Sequence, residues 1–357
     1  MGLLFTFYAH AFEQRGDKVL CVQKPVNDAY SSSTMQLEDG KQYPRALSVE
    51  TPDGKFKIFG HNHLPPGFDR TSFTDVALDR KSSNGDFLKT LNDLAAKGKR
   101  VTDQRLGDLN RLESNGAGTL FTEETDKQDQ IAKEDLQTEY ILFQKNMTDR
   151  GLLPGHEDVF NHVSALMYGE SYLYKYRNPS TKVVPTGNQD LFDQSENAMG
   201  VRNSGISGLR NLASQGRLSP DQVSAFEKKL TDFGYSMMND TKIDNHEAEA
   251  EKLQNSISDP TARGMAKRAI DGELQFQKAL LERDKDMVDQ ITKGKSISAD
   301  RTLHLGGYHV PRIAKLLQEK CRQDIQAANK EILDMYKGRN IDPKVLKPFL
   351  YRIDVTQ

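Results

Sequence analysis

Apolar positions along the chain follow two spacings, one suited to strands and one to helices. Ala46 to Glu50 and Lys55 to Phe59 are short β-rich runs joined by Thr51-Pro52-Asp53-Gly54. Proline fixes one backbone angle there and glycine permits the reversal, so the segment predicts a strand pair. The second strand runs into Gly60-His61-Asn62-His63-Leu64-Pro65-Pro66, which predicts a loop. From about Thr74 to Arg150 the chain is polar with a helical pattern: Phe87, Leu88, Leu91 and Leu94, then Ile131, Leu136, Tyr140 and Phe143. Asn115-Gly116-Ala117-Gly118 divides these helices. Asp158 to Tyr176 reads as a further helix ended by Asn178-Pro179, and Lys182-Val183-Val184-Pro185 as a short buried strand.

Gly200 to Gly216 is rich in Ser, Gly and Asn and reads as a loop or a weak helix. Ser219-Pro220-Asp221 opens the next helix with a hydroxyl cap and a first-turn proline. His246 to Ile291 is charged and helical, broken at Asp259-Pro260. Arg301 to Leu305 is the last strand; it leads into Gly306-Gly307-Tyr308-His309-Val310, and Pro311 opens an amphipathic helix. Helices outnumber the strands and separate them, so the predicted class is α/β, with a mainly parallel central sheet and many surrounding and inserted helices. The organisation read from this pattern is one domain over residues 21–357, with helical insertions at about 74–176 and 200–295. Residues 1–20 read as the remnant of an export signal, given the apolar start and the Ala9-x-Ala11 triplet, or as a first strand. The first alternative places the protein outside the cytoplasm and the second inside it.

A chain of 357 residues, 36% hydrophobic and 28% charged, can bury a sizeable core. A net charge of -2 leaves no basic surplus for phosphate backbones, so nucleic acid is not an expected partner. No apolar run approaches the roughly 18 residues of a membrane span, so no transmembrane segment is expected. Cys21 and Cys321 are far apart without a CxxC companion and read as two unrelated thiols.

Candidate chemistry comes from a coincidence of strand ends. Three apolar strands end in glycine followed by ligand-capable side chains: Gly60-His61-Asn62-His63, Gly187-Asn188-Gln189-Asp190, and Gly306-Gly307-Tyr308-His309. In an open α/β sheet, ligands bind beyond the carboxyl ends of the strands, and parallel strands would bring these loops to one edge. Imidazole and carboxylate are common ligands of zinc, manganese and iron, and equally an acid–base pair at neutral pH. His63 and His309 are the leading candidates. His61 and Asp190 are supporting ones, since His61 can point the other way and Asp190 can simply cap the helix beginning near Leu191. Leu281-Glu282-Arg283-Asp284 precedes the last strand on a helix; adjacent Glu282 and Arg283 point apart and serve different partners, or form a solvated charge pair. A Gly-x-Ser-x-Gly elbow and Gly-rich phosphate loops are absent.

Together these motifs resemble the TraB and TIKI group, within the wider superfamily of the erythromycin esterases and the ChaN haem-binding proteins. Gly60, His63 and Pro65 match a first motif, Glu282 and Arg283 a second, and Gly306, Gly307 and His309 a third. The resemblance implies an α/β core with inserted helices and a metal-dependent hydrolase acting on a peptide or ester bond of a peptide or small-molecule substrate. It implies His63 and His309 as metal ligands or acid–base pair, Glu282 as carboxylate ligand or base, and Arg283 as anchor for substrate or oxyanion charge. The expected metal is a divalent manganese, cobalt, zinc or iron ion. His61 departs from the glutamate that many esterase and ChaN relatives carry after the first glycine. A non-catalytic carrier of haem or another small ligand on the same cleft is the alternative. A metallophosphoesterase is a further one, although its Gly-His-x-His motif comes last in that family and first here.

Overall fold

The structure is a computed structural model. It describes residues 19–26, 34–36, 42–52, 54–61, 75, 78–116, 118–127, 137–152, 170–238, 240–243, 246–293, 300–337 and 352–353. His63 and Pro65 lie outside the described residues, as do residues 1–18. The strands are β1 (Val19–Leu20), β2 (Gln23–Pro25), β3 (Thr34–Gln36), β4 (Gln42–Pro44), β5 (Ala46–Thr51), β6 (Gly54–His61), β7 (Thr119–Thr125), β8 (Lys182–Gly187), β9 (Asp300–Gly306) and β10 (Arg352–Ile353). The helices are α1 (Asn84–Asn115), α2 (Gln137–Asp149), α3 (Glu170–Arg177), α4 (Gln189–Ser214), α5 (Pro220–Met237), α6 (Glu247–Asn255), α7 (Pro260–Lys293) and α8 (His309–Tyr336).

The fold is α/β. A six-stranded mixed sheet runs in the order β2-β5-β6-β9-β7-β8, with helices packed around it. β5 and β6 form the predicted antiparallel pair, and Gly54 turns between them at φ 134°. β6, β9, β7 and β8 are mutually parallel, so their carboxyl ends share one edge. In register, His61 faces Gly306 and Thr125 faces Gly187, which brings the three glycine-marked loops to that edge. Strand periodicity then sorts the side chains. Phe59, Leu120 and Val183 pack under α1, α2 and α3, whereas Ile58, Phe121, Leu303 and Leu305 pack under α8 and the end of α7.

Two expectations are corrected, and one is decided between its alternatives. The helical stretch expected from Thr74 to Arg150 is split by β7, a strand in the interior of the sheet; Gly116, at φ 60°, caps α1 just before it. Thr-Leu-Phe-Thr-Glu-Glu-Thr holds only two apolar side chains, and its polar ones are buried by position in the sheet rather than by their own hydrophobicity. The Ser/Gly/Asn-rich stretch from Gly200 to Gly216 is helical up to Ser214, within α4. Gly205 and Gly208 serve close packing on α7: a Cβ at Gly205 would come 2.5 Å from the Ala269 nitrogen, and Ala262, Ala266 and Ala269 are fully buried in the same bundle core. Finally, Cys21 and Cys321 are bonded to each other across 300 residues, with a Cα separation of 5.6 Å. No helix of the described residues is long and apolar enough to cross a membrane.

Candidate metal centre

Period-two alternation along β9 sends Leu303 and Leu305 beneath α8 and His304 to the opposite face. His304 is 1% exposed, and its ring centroid lies 4.6 Å from that of His61 at the end of β6. Glu170, the first residue of α3, completes a group whose ligand atoms all lie within 4.8 Å of one another. Ligands about 2.0–2.2 Å from one transition ion sit at most about 4.4 Å apart, so a small closure fits all three to a single ion. The Ser171 hydroxyl lies 2.8 Å from His304 Nδ1, and His304 Nε2 is buried with no hydrogen-bond partner among the described residues. Burial is the largest influence on His304 and holds its pKa below the ordinary value, against the pull of Glu170 and Glu123. His304 is therefore neutral at neutral pH, the form that ligates.

Cations and carboxyls buttress this group. Arg105 Nε lies 3.4 Å from Glu170 Oε1. Behind it, Asp108 accepts from Arg45 at 2.7 Å; burial raises its pKa to about 7 despite that charge.

On the other side stands Glu123, from β7. One carboxylate oxygen is 3.6 Å from His61 Nε2. The other is 3.2 Å from His309 Nε2 and accepts the Gly306 N–H at 3.0 Å. His309 opens α8, and its Nδ1 lies 2.5 Å from Asp284 Oδ1. Asp284 is held in turn by Arg312 at 3.3 Å, and Arg312 also donates to the Met238 and Met237 carbonyls. Burial depresses the His309 pKa, but the charge and hydrogen bond of Asp284, with Glu123, outweigh burial and the nearby Arg283 cation; the net shift is upward. The result is a buried chain, His61–Glu123–His309–Asp284–Arg312, alternating base and acid.

Of the residues singled out in the sequence, the structure brings together His61, His309, Gly60, Gly306 and Gly307. The Gly307 N–H donates to the His61 carbonyl at 2.7 Å and the Gly60 N–H to the Arg45 carbonyl at 2.8 Å, which locks the β6 and β9 ends. Arg283 is buried beside the chain, its guanidinium carbon 5.3 Å from the Phe192 ring centre. Glu282 points outward, its side chain 56% exposed and bound to Lys285 at 2.7 Å. Asp190 is exposed; Asn188 caps α4, accepting from the Asp190 and Leu191 N–H groups. His63 is outside the described residues.

Sequence reasoning missed Glu123, Glu170, His304 and Asp284. Two of these carry a readable signal. His304 stands between two buried leucines, Leu303 and Leu305, and Asp284 falls on the buried stripe of Leu280, Leu281, Met287 and Val288 along α7. A charged group on such a stripe needs a buried partner. No protein-family model, curated protein or solved structure matches the chain, so the reading of this site rests on its own geometry.

Proposed function

We propose that the protein is a metal-dependent hydrolase, acting on a peptide or ester bond, with a divalent manganese, cobalt, zinc or iron ion held by His61, His304 and Glu170. The observation that carries this reading is the approach of His61, Glu170 and His304 ligand atoms within 4.8 Å of one another, with His304 Nε2 buried and without a hydrogen-bond partner among the described residues. Two imidazoles and a carboxylate suit these ions and leave positions open. When bound, such an ion supplies Lewis acidity and a water of lowered pKa.

The chain's own residues supply the rest. Glu123 lies 3.6 Å from His61 and 3.2 Å from His309 Nε2, near enough to serve with His309 as an acid–base pair beside the centre. Asp284 and Arg312 fix the His309 ring so that Nε2 faces Glu123. On this reading the chain is a distant member of the TraB/TIKI and erythromycin-esterase superfamily. The convergence of Gly60, Gly306, Gly307 and His309 at one sheet edge supports that kinship.

Metal content measured by mass spectrometry, on wild type beside His61→Ala and His304→Ala, tests the reading, with circular dichroism as the control for folding. Near-stoichiometric metal in the wild type, falling at least ten-fold in both variants, is the expected result. Ester and peptide turnover should then fall in Glu123→Gln with the metal retained. A wild type that takes up none of the four ions overturns the proposal.

A further inference from the structure

Ser171 is a buried hydroxyl that the proposed chemistry leaves unused. It is the second residue of α3, next in sequence to Glu170, and the two are 3% and 2% exposed. A hydroxyl is buried at a cost unless it finds a hydrogen-bond partner. The Ser171 oxygen lies 2.8 Å from Nδ1 of His304, 133 residues away in sequence. One turn of α3 therefore brings two consecutive side chains to the same imidazole. Glu170 joins it in the group of ligand atoms within 4.8 Å of one another, and Ser171 hydrogen-bonds it. The ring has little freedom to turn elsewhere, because its partners in register, Phe59 on β6 and Thr122 on β7, are buried on both sides.

Two proton arrangements fit the contact, and they differ at the far nitrogen. If the hydroxyl donates to Nδ1, the ring proton sits on Nε2, which is buried with no hydrogen-bond partner among the described residues. If the ring donates from Nδ1 to the Ser171 oxygen, Nε2 keeps a lone pair. Without an ion, either form leaves Nε2 unsatisfied; an ion in the ligand group satisfies the lone pair and is repelled by the N–H. A metal-bound histidine accordingly donates its other ring N–H to a neighbouring acceptor, which fixes both tautomer and orientation. The Ser171 oxygen stands where that acceptor is required.

We infer that Ser171 is a positioning residue for the metal: its oxygen accepts the Nδ1 proton of His304 and leaves the Nε2 lone pair for the ion, while Glu170 beside it supplies the carboxylate. That Nε2 binds an ion rests on the proposed function; which nitrogen carries the proton is read without any ion. The start of α3 is then a two-residue device, one residue ligating and the next setting the tautomer of a second ligand.

The test uses the full chain carrying isotope-labelled histidine, stripped of metal with EDTA and held at mildly alkaline pH. Long-range proton–nitrogen spectra then show which nitrogen of each ring is protonated, and His304→Gln identifies the His304 signals by their disappearance. The expected result is a proton on Nδ1 in the wild type and in Ser171→Thr, which keeps the hydroxyl, and its partial or full transfer to Nε2 in Ser171→Ala. Zinc affinity, measured by competition with a chelator, should fall about ten- to hundred-fold in Ser171→Ala and stay near the wild-type value in Ser171→Thr, with circular dichroism as the control for folding. A proton on Nε2 of His304 in the metal-free wild type, or zinc bound as tightly by Ser171→Ala as by wild type, would each overturn the inference. A wild type that carries the Nδ1 proton, loses it in Ser171→Ala and yet takes up none of the four ions would remove the metal while upholding Ser171 as the residue that sets the tautomer, so the two proposals fail separately.

Discussion

Glu123 Oε2 lies 3.2 Å from His309 Nε2, so a strand in the interior of the sheet meets the first residue of α8 through an imidazole–carboxylate contact. With Asp284 on the other ring nitrogen, the buried imidazole is flanked by two carboxylates. This explains why a fully enclosed histidine keeps its proton more readily than one in water: the flanking charges exceed the penalty of burial.

A folded-state pKa above the unfolded one means that the fold holds the proton more tightly than the unfolded chain, so protonation favours the fold. For His309 the sign is definite. Its contribution is fully present below the unfolded value of about 6.5 and is lost as pH rises through the raised folded value. The difference in urea-unfolding free energy between wild type and His309→Gln should therefore be largest on the acid side of about 6.5 and shrink toward alkaline pH. A difference that grows with rising pH would show His309 to be neutral in the fold.

Asp284 is 0% exposed and is the shared anion of His309 and Arg312. Removing it leaves the buried Arg312 guanidinium without its carboxylate and strips His309 of one of its two flanking carboxylates, which costs about 3–5 kcal/mol. Asp284→Ala should lose about that much in denaturant unfolding. Arg312→Met added to it should recover part of the loss, because the second change removes a cation the first had orphaned. Additive losses would mean that Arg312 is held by the Met237 and Met238 carbonyls and by Gln277 without need of Asp284.

Gly187 ends β8 where the sheet leaves no room. A Cβ there would meet the Glu123 carbonyl oxygen and come 2.8 Å from the Glu124 carbonyl carbon, both backbone atoms of β7. Gly187→Ala should cost about 1–3 kcal/mol and, by shifting the backbone that carries Glu123, reduce turnover as well. Gly200 is the control: it is exposed on α4 with nothing within 4 Å of its Cβ position. Gly200→Ala should raise stability by about 0.5–1 kcal/mol. Thermal melts and activity of the two variants, read side by side, check both signs.

The same glycines show how far the sequence could be read. Gly60, Gly187 and Gly306 mark the strand ends that converge, and parallel pairing follows from strands separated by helices. That was enough to locate the sheet edge and to place His61 and His309 there. Glu123 was hidden because β7 looks polar; only its neighbours on both sides make it an inner strand. Glu170 was hidden because nothing local distinguishes it from any other charged residue on a helical stretch. The stretch from Gly200 to Gly216 read as either a loop or a weak helix, since small residues such as Gly205 that permit two helices to touch look, one chain segment at a time, like a loop.

The bond from Cys21 to Cys321 ties the chain just after β1 to the middle of α8 and closes 300 residues. Loop closure of that length restricts the unfolded chain, and the bond should contribute about 2–5 kcal/mol. Cys21 also sits at φ 63°, where its Cβ is crowded; its N–H is held by the Glu50 carbonyl at 2.8 Å and the residue is fully buried. Cys321→Ser should therefore lower the melting temperature, and dithiothreitol should lower that of the wild type to a similar value while leaving the variant unchanged. In the Cys321→Ser background, Cys21→Gly should regain part of the loss, because the left-handed backbone costs a residue with a Cβ about 1–2 kcal/mol that glycine escapes. Cys21→Ala, with the Cβ retained, should not. Equal stabilities for the glycine and alanine variants would show that the turn at Cys21 relaxes once the bond is gone, and that the disulfide itself imposes the left-handed backbone.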